Sequence, residues 1–188
     1  GAELYLHTPG QEGSERIEVD FRSPRVHRQR RFIRASDYLE DYDPHPEGHS
    51  LLLTVRGRPF TMACWEQGVT QHGEADGVRY RLGRWLSGGD AFVCVSDRSG
   101  EERLDIHALD GSAPRVVAPE VDLGRPVSLE ASPRARQVAL ANHRHELILV
   151  DLEEGSVRVV DRSPHARISG LAWSPDGAWL AYSFAETP

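Results

Sequence analysis

The chain has 188 residues, of which 39% are hydrophobic and 27% are charged, a composition typical of a globular domain with its own core. Its formal net charge of -7 argues against a general nucleic-acid-binding protein, because phosphate binding requires a basic surface. Since no apolar run reaches the ~18 residues of a membrane span and no signal peptide opens the chain, we expect no membrane partner and a cytoplasmic location.

The predicted elements, in chain order, are short strands separated by turns rich in Gly, Pro, Asp and Ser. The chain opens with two strands, ELYLHTP and ERIEVDFRSP. Three groups follow, each compatible with four strands, and the third is the clearest: RPVSLEA, RQVALAN, ELILVDL and SVRVVD. The last segment supplies only ISGLAW and AWLAYSF. The segment from Arg30 to Glu40 is the one helix-like candidate, although Asp37 to Asp43 is better interpreted as a strand.

A turn-and-strand motif recurs at intervals of forty-odd residues. SPDGAWLAYS aligns with SPRARQVALA, SGGDAFVCVS and HPEGHSLLLT, whose first residues are Ser174, Ser132, Ser87 and His45. A repeat of that length built from four short strands is typical of a β-propeller blade. We therefore predict an all-β fold and a single partial propeller domain over residues 1–188. Its parts are an outer half-blade (1–36), three blades (37–80, 81–124 and 125–167) and an inner half-blade (168–188).

The two half-blades are complementary, because together they hold the strands of one blade. Unpaired strand edges are normally covered in proteins. We expect the halves to pair within the chain, closing a small ring of four blades, or between chains, giving a homo-oligomer in the form of a larger ring or a swapped dimer. A third alternative is that both ends stay frayed.

Three segments resemble successive blades of the second propeller of the tricorn proteases: RLGRWLSGGDAFVCVSDRSGEERLDIHALDG, ELILVDLEEGSVRVVDRS and ISGLAWSPDGAWLAYS. DYDPHPEGHSLLLTVRGRPFTM is similar to another blade of that family. The resemblance implies a fragment of a seven-bladed propeller in a large cytoplasmic, hexameric serine peptidase that degrades peptides. In that family the second propeller is thought to admit substrate, so the remaining domains of the parent protease and peptides are the expected partners.

Catalysis by this chain is not expected. A serine hydrolase needs a serine activated by a base, and the sequence has no G-x-S-x-G elbow. Ser87, Ser132 and Ser174 recur once per repeat at a turn, which favours a structural role.

We predict neither a cofactor nor a metal. His143 with His145, or His45 with His49, could share one face of a strand, but both pairs lack further ligands at metal-binding spacing, and solvated turns are the simpler interpretation. Cys64 and Cys94 are too few for a disulfide framework, and both lie in apolar runs, so we expect two buried free thiols.

An arginine cluster precedes the first complete blade, with two phenylalanines interleaved. Nucleic acid or an acidic peptide could bind it, but acidic residues follow closely, and charge compensation on a solvated surface is favoured. The residues are Arg22, Arg25, Arg28, Arg30, Arg31, Arg34, Phe21 and Phe32, followed by Glu40, Asp41, Asp43 and Glu47.

The first strand of each blade lines the central hole of a propeller. Arginines there could hold the carboxylate of a peptide briefly, or these groups could pair with each other. The predicted channel-lining residues are Asp37, Glu40, Arg81, Arg84, Ser128, Glu130 and Ser169.

The sequence thus predicts a non-catalytic propeller fragment of a tricorn-like serine protease that guides or gates peptides toward a distant active site. Two alternatives remain open: a stand-alone propeller that acts as an interaction scaffold, and the accessory propeller of a prolyl-oligopeptidase-type enzyme.

Overall fold

A computed structural model describes residues 4–10, 12–20, 22, 24, 32, 34–185 and 187. The chain divides into two compact units, Gly1–Asp37 and Tyr38–Pro188. The first contains one antiparallel hairpin of two strands, β1 (Leu4–Leu6) and β2 (Glu15–Ile17). A short 3-10 helix, Ala35–Tyr38, runs across the boundary. The segment predicted as a strand from Asp37 therefore starts as a helical turn, in which the Asp37 N–H donates to the Arg34 carbonyl oxygen.

The second unit consists of antiparallel sheets formed in chain order. The first blade contains β3 (Leu39–Pro44), β4 (Ser50–Val55), β5 (Arg58–Ala63) and β6 (Val69–Gln71). The second contains β7 (Tyr80–Trp85), β8 (Ala91–Ser96), β9 (Arg103–Ala108) and β10 (Arg115–Val117). The third contains β11 (Pro126–Ala131), β12 (Gln137–Asn142), β13 (Glu146–Asp151) and β14 (Val157–Arg162). The half-blade contains β15 (Ser169–Trp173) and β16 (Leu180–Ser183).

Packing between consecutive sheets explains why their strands are almost continuously apolar. Successive side chains of a strand point to opposite faces, so a sheet covered on both faces needs apolar residues at every position. In β8, Val93 and Val95 pack against the third blade, whereas Phe92 and Cys94 pack with Leu52 of the first. Residues of the third blade and the half-blade form a further cluster of the same kind.

The innermost strands β3, β7, β11 and β15 contact one another in that order. The fold is therefore all-β, with three four-stranded blades and two-stranded hairpins, as the sequence predicts. The described part of the chain contains no helix with the length and apolarity that a membrane crossing requires.

The alignment of the second repeat is wrong by one residue. The turn after each inner strand closes through a backbone bond from its first N–H, and those first residues are His45, Leu86, Ser132 and Ser174. Leu86, not Ser87, therefore matches Ser174. The shift places Trp85 at the same position as Trp173, and both tryptophans make the same contact with the preceding blade.

Candidate functional site

The first strands of three blades surround an open pocket of about 690 Å³, called here the inner pocket. The residues that define it are Glu40 and Asp41 of β3, Arg79, Arg81 and Arg84 of the β7 region, and Ser128 of β11. Each of these strands carries a β-bulge beside the pocket, where its pairing register shifts. Bulges bend a strand and re-aim its side chains.

The bulge in β7 brings two arginines to the same pocket. In a regular strand, side chains three positions apart point to opposite faces. Here the register shifts between Arg81 and Arg84, and Leu82 inside the bulge has a φ of 53°. As a result both guanidinium groups line the inner pocket, although plain alternation would separate them.

Arg84 joins the innermost strands of three blades. Its Nη1 donates to Asp41 Oδ2 at 2.7 Å, and its Nη2 lies 3.3 Å from Glu130 Oε1. Burial alone lowers the pKa of this guanidinium, but the hydrogen bond to Asp41 and the charges of Glu130 and Asp41 outweigh burial and raise the pKa. The cation is thus held ionised between two carboxylates.

Arg81 forms a second link between blades. Its Nη2 donates to both carboxylate oxygens of Glu102 at 2.7 Å and to the Pro126 carbonyl oxygen at 2.9 Å. All three contacts come from this one nitrogen, and they hold the guanidinium group between Glu102 and β11. The Ser128 hydroxyl lies beside it, with a buried Oγ that makes no hydrogen bond to the described part of the chain.

The mouth of the inner pocket is less constrained. Arg79 and Glu40 lie 3.8 Å apart and are 58% and 38% exposed, so their pairing contributes little to stability. These two charged groups can therefore pair with a ligand, whereas Arg81 and Arg84 are mostly buried and already paired with carboxylates.

Hydrogen bonds from two tryptophan indole groups connect adjacent inner strands next to this pocket. The indole N–H of Trp85 donates to the Asp43 carbonyl oxygen at 3.1 Å, and that of Trp173 donates to the Glu130 carbonyl oxygen at 3.2 Å. The Asp43 carboxylate also accepts the Trp85 backbone N–H at 2.7 Å. Burial raises the pKa of Asp43, an effect that this backbone bond opposes.

The structure thus brings four of the seven predicted channel residues together: Glu40, Arg81, Arg84 and Ser128 line one pocket, and Glu130 joins them through Arg84. Ser169 lies on β15, where its hydroxyl is 3.5 Å from that of Ser183. Asp37 lies in the 3-10 helix before β3 rather than on an inner strand.

Sequence reasoning missed Asp41 and Arg79 as pocket residues. The sequence predicts that Asp41 compensates the charge of the arginine cluster, whereas the structure pairs it with Arg84. Alternation in β3 would place Glu40 and Asp41 on opposite faces, and the bulge between Leu39 and Asp41 changes that. Of the arginine cluster, Arg25, Arg28, Arg30, Arg31 and Phe21 lie outside the described residues, and Phe32 is fully exposed.

The recurring serines hold turns. The Ser174 hydroxyl donates to Asp176 and accepts the Trp179 backbone N–H at 2.9 Å. The Ser132 hydroxyl accepts the backbone N–H of Ala135 at 3.2 Å. These bonds are the ones expected of a turn-forming serine rather than of a nucleophile next to a base.

One cluster has the composition of a metal site, but its central residue is already occupied. His45, Glu47 and His49 offer ligand atoms within 4.8 Å of one another. Nδ1 of His45 accepts the Glu47 N–H at 3.1 Å, so Nε2 carries the proton that is donated to the Gly89 carbonyl oxygen at 3.0 Å. Both nitrogens are therefore used, and two ligands remain. His143 Nδ1 likewise accepts the Arg125 N–H at 2.9 Å.

The prediction of two buried thiols is wrong for Cys64. Cys94 is buried within β8, but Cys64 is exposed. β5 ends at Ala63, so Cys64 belongs to the following turn and has left the packed strand.

The chain matches the family model described as the tricorn protease second beta propeller domain over residues 39–188. It is 30% identical over 185 residues to the putative tricorn-like protease C-terminal subunit of Sulfurisphaera tokodaii, covering 98% of this chain and 21% of that protein. It is 31% identical over 173 residues to tricorn protease homolog 1 of Streptomyces coelicolor, covering 89% of this chain and 16% of that protein. The chain spans about a fifth or less of these relatives.

Solved structures give the same result. A crystal structure of the tricorn protease superposes with a TM-score of 0.71 at 25% identity, over 97% of this chain and 17% of that one. A putative TolB from Agrobacterium tumefaciens, with a TM-score of 0.63 at 16% identity over 77% of this chain and 53% of that one, shares the fold alone. With its bulged inner strands, its repeated blades and a family match that covers most of its length, the chain belongs to the family of tricorn protease second β-propeller domains.

Proposed function

We propose that this chain is a non-catalytic part of a tricorn-like serine protease and that its inner pocket contacts peptides on their way to a distant active site. The observation that carries the proposal is the set of charges on three consecutive inner strands around one open space of about 690 Å³. Arg81 and Arg84 are neutralised by carboxylates, which prevents tight retention of a peptide.

The arrangement supports passage rather than storage. Arg79 and Glu40 present one charge of each sign at the pocket mouth, where a peptide carboxylate or amine could pair briefly with either. Exposed pairs of this kind are worth about 1 kcal/mol or less, so each contact is readily broken.

Peptidase kinetics in the longer protease that contains this chain test the proposal. Arg79→Gln should lower kcat/KM for a peptide of about twelve residues by about threefold to fivefold, because one weak ion pair is lost. It should leave a dipeptide-sized substrate unaffected, since the active site is unchanged. Arg136→Gln is the matched control, because Nη2 of Arg136 donates to both carboxylate oxygens of Asp90 outside the inner pocket.

Equal effects of Arg79→Gln and Arg136→Gln on the long peptide would contradict the gating role. So would an equal loss for short and long substrates, because that result would indicate a general change in the enzyme. An unchanged protease would favour a propeller that acts as a scaffold for other domains.

We propose in addition that two copies associate through their two-stranded sheets. The hairpin β1–β2 exposes Leu4, Tyr5 and Leu6, and the hairpin β15–β16 is likewise a sheet of two strands. In this assembly β1–β2 of one copy pairs with β15–β16 of the other. Light scattering should give a dimer mass that becomes a monomer mass when residues 168–188 are deleted. A monomer mass for the intact chain at every concentration would contradict this assembly.

A cytoplasmic location completes the proposal. Cys64 and Cys94 are both free thiols. Unpaired cysteines suit a reducing compartment, and an exposed thiol such as Cys64 would oxidise in a secreted protein.

A further inference from the structure

A second concave site lies on the outer side of the first two blades, away from the inner strands. This outer cleft has a volume of about 400 Å³ and lies between the end of β6 and the β9–β10 connection. The residues that define it are His72, Glu74, Arg98, His107, Ser112 and Pro114. None of them was singled out in the sequence, because they come from separate segments that only sheet packing brings together.

The ring of His107 is the buried wall of the outer cleft. It is 4% exposed, lies parallel to the Phe92 ring with centroids 5.0 Å apart, and contacts the Tyr80 ring edge-on at 5.6 Å. Its Nε2 is buried and makes no hydrogen bond within the described part of the chain. A buried polar atom without a partner costs about 1–3 kcal/mol, so a structure retains one where something else satisfies it.

Arg98 supplies a second donor to the same cleft. Its Nε is buried and also lacks a hydrogen-bond acceptor of suitable geometry among the described residues. Glu74 Oε1 lies 3.1 Å from that nitrogen, but the Glu74 side chain is 53% exposed and can move away. The two buried nitrogens thus belong to residues that line one cleft, and a small polar group would reach them where the Glu74 side chain moves aside.

The charges around the outer cleft select the kind of acceptor. Nη2 of Arg98 lies 3.1 Å from Oδ2 of Asp105, whose side chain is 1% exposed. Together with Glu74, that carboxyl already balances the single positive charge of Arg98. A ligand with its own negative charge would face both acidic groups, whereas an uncharged carbonyl oxygen would satisfy the two donors without that repulsion.

We propose that the outer cleft binds an uncharged amide group, whose carbonyl oxygen accepts hydrogen bonds from Arg98 Nε and from His107 in the tautomer that carries its proton on Nε2. The amide nitrogen donates to Glu74 or to the Ser112 hydroxyl, both of which line the same cleft. The apolar surfaces of Leu109, Ala113 and Pro114 cover the carbon atoms of the ligand. The amide comes from an Asn or Gln side chain or from a peptide backbone.

NMR titration of the isotope-labelled chain tests the site with three small probes of similar size. Acetamide represents a side-chain amide, N-methylacetamide represents a backbone amide, and acetate is the charged isostere of acetamide. We expect saturable shifts of the His107 ring and the Ala108 and Ser112 amides with at least one amide probe. The tighter of the two amides identifies the source. Acetate should bind at least about tenfold more weakly than that probe.

Two variants connect the shifts to the donors. His107→Phe keeps the ring on Phe92 and removes Nε2, while Arg98→Lys keeps the charge and removes the Nε donor. Each should weaken amide binding about fivefold to tenfold, the effect of one lost hydrogen bond. Arg103→Lys is the matched control on β9, because its guanidinium pairs with Glu101 outside the cleft. It should leave the affinity unchanged.

Three outcomes would overturn the proposal: no saturable shift with either amide, acetate binding as tightly as the better amide, or unchanged affinity in the variants. If His107→Phe does not fold, Arg98→Lys decides alone, because the Arg98 side chain as a whole is 29% exposed and the substitution keeps its charge. Unchanged affinity in a folded Arg98→Lys chain would refute the assigned hydrogen bonds.

Discussion

The buried imidazole of His107 makes the stability of this chain depend on pH in a way that can be calculated. Burial, reinforced by the charges of Arg98 and His72, lowers the pKa of His107 from 6.5 to about 4. In the unfolded chain the group titrates at its ordinary value. Between those two pKa values the unfolded chain therefore binds more protons than the folded chain, and folding becomes less favourable as the pH falls.

The magnitude follows from the two pKa values. The stability is fully present above the unfolded pKa of 6.5 and is lost progressively toward about 4. Each pKa unit corresponds to 1.36 kcal/mol, so the complete effect is about 3 kcal/mol. Integration from about pH 7.5 to about pH 5 gives a loss of about 2 kcal/mol that belongs to this one side chain.

Urea unfolding of the parent chain and of His107→Phe at several pH values isolates that contribution. Phenylalanine fills the same space against Phe92 but does not titrate. On acidification the parent should lose about 2 kcal/mol more than the variant, since other titrating groups cancel in the difference. His165→Phe is the control, because His165 is exposed. The stability of this variant should depend on pH in the same way as that of the parent.

Parallel losses of stability in the parent and in His107→Phe over this pH range would show that His107 is not the titrating group responsible. A larger loss in the variant would contradict the role of His107 equally, because that sign requires an imidazolium stabilised by folding.

Two further predictions concern the junctions and the thiols. Trp173→Phe removes the indole N–H that bonds to the Glu130 carbonyl oxygen and should lower the free energy of unfolding by about 1–2 kcal/mol. The control Trp179→Phe, at a side chain that is 76% exposed, should change it by less than about 0.5 kcal/mol. Equal effects of the two substitutions in thermal melting would contradict the role of the hydrogen bond. Cys64 should react with a thiol reagent in the folded chain and Cys94 only after unfolding, because burial raises the pKa of Cys94; two fast thiols would refute this assignment.

The strand order of this fold is largely predictable from the sequence. Short apolar runs and turn residues locate the strands, because propeller sheets are buried on both faces and their turns require Gly, Pro, Asp or Ser. The sequence alignment starts the second turn at Ser87, because SGGD resembles SPDG in composition. The backbone hydrogen bonds show that this turn starts at Leu86. The strand predicted from Asp37 begins instead at Leu39, after a helical turn that alternation does not reveal.

The sites were only partly predictable. Position on an inner strand identified Arg81, Arg84 and Ser128, but the bulges that bring neighbouring residues to one pocket leave no period in the sequence. The outer cleft depends on how the first blade packs against the second, and His107 and Arg98 carry no motif that would connect them beforehand.

Contact between peptides and the inner strands can be measured directly on this chain with a spin-labelled peptide of about twelve residues. Paramagnetic broadening should be strongest at the backbone amides of Arg81, Arg84 and Ser128, and weak along the outer strand β14. It should decrease in Arg79→Gln and persist in Arg136→Gln. Broadening confined to β14 or to the outer cleft, with the inner-strand amides unchanged, would contradict the account.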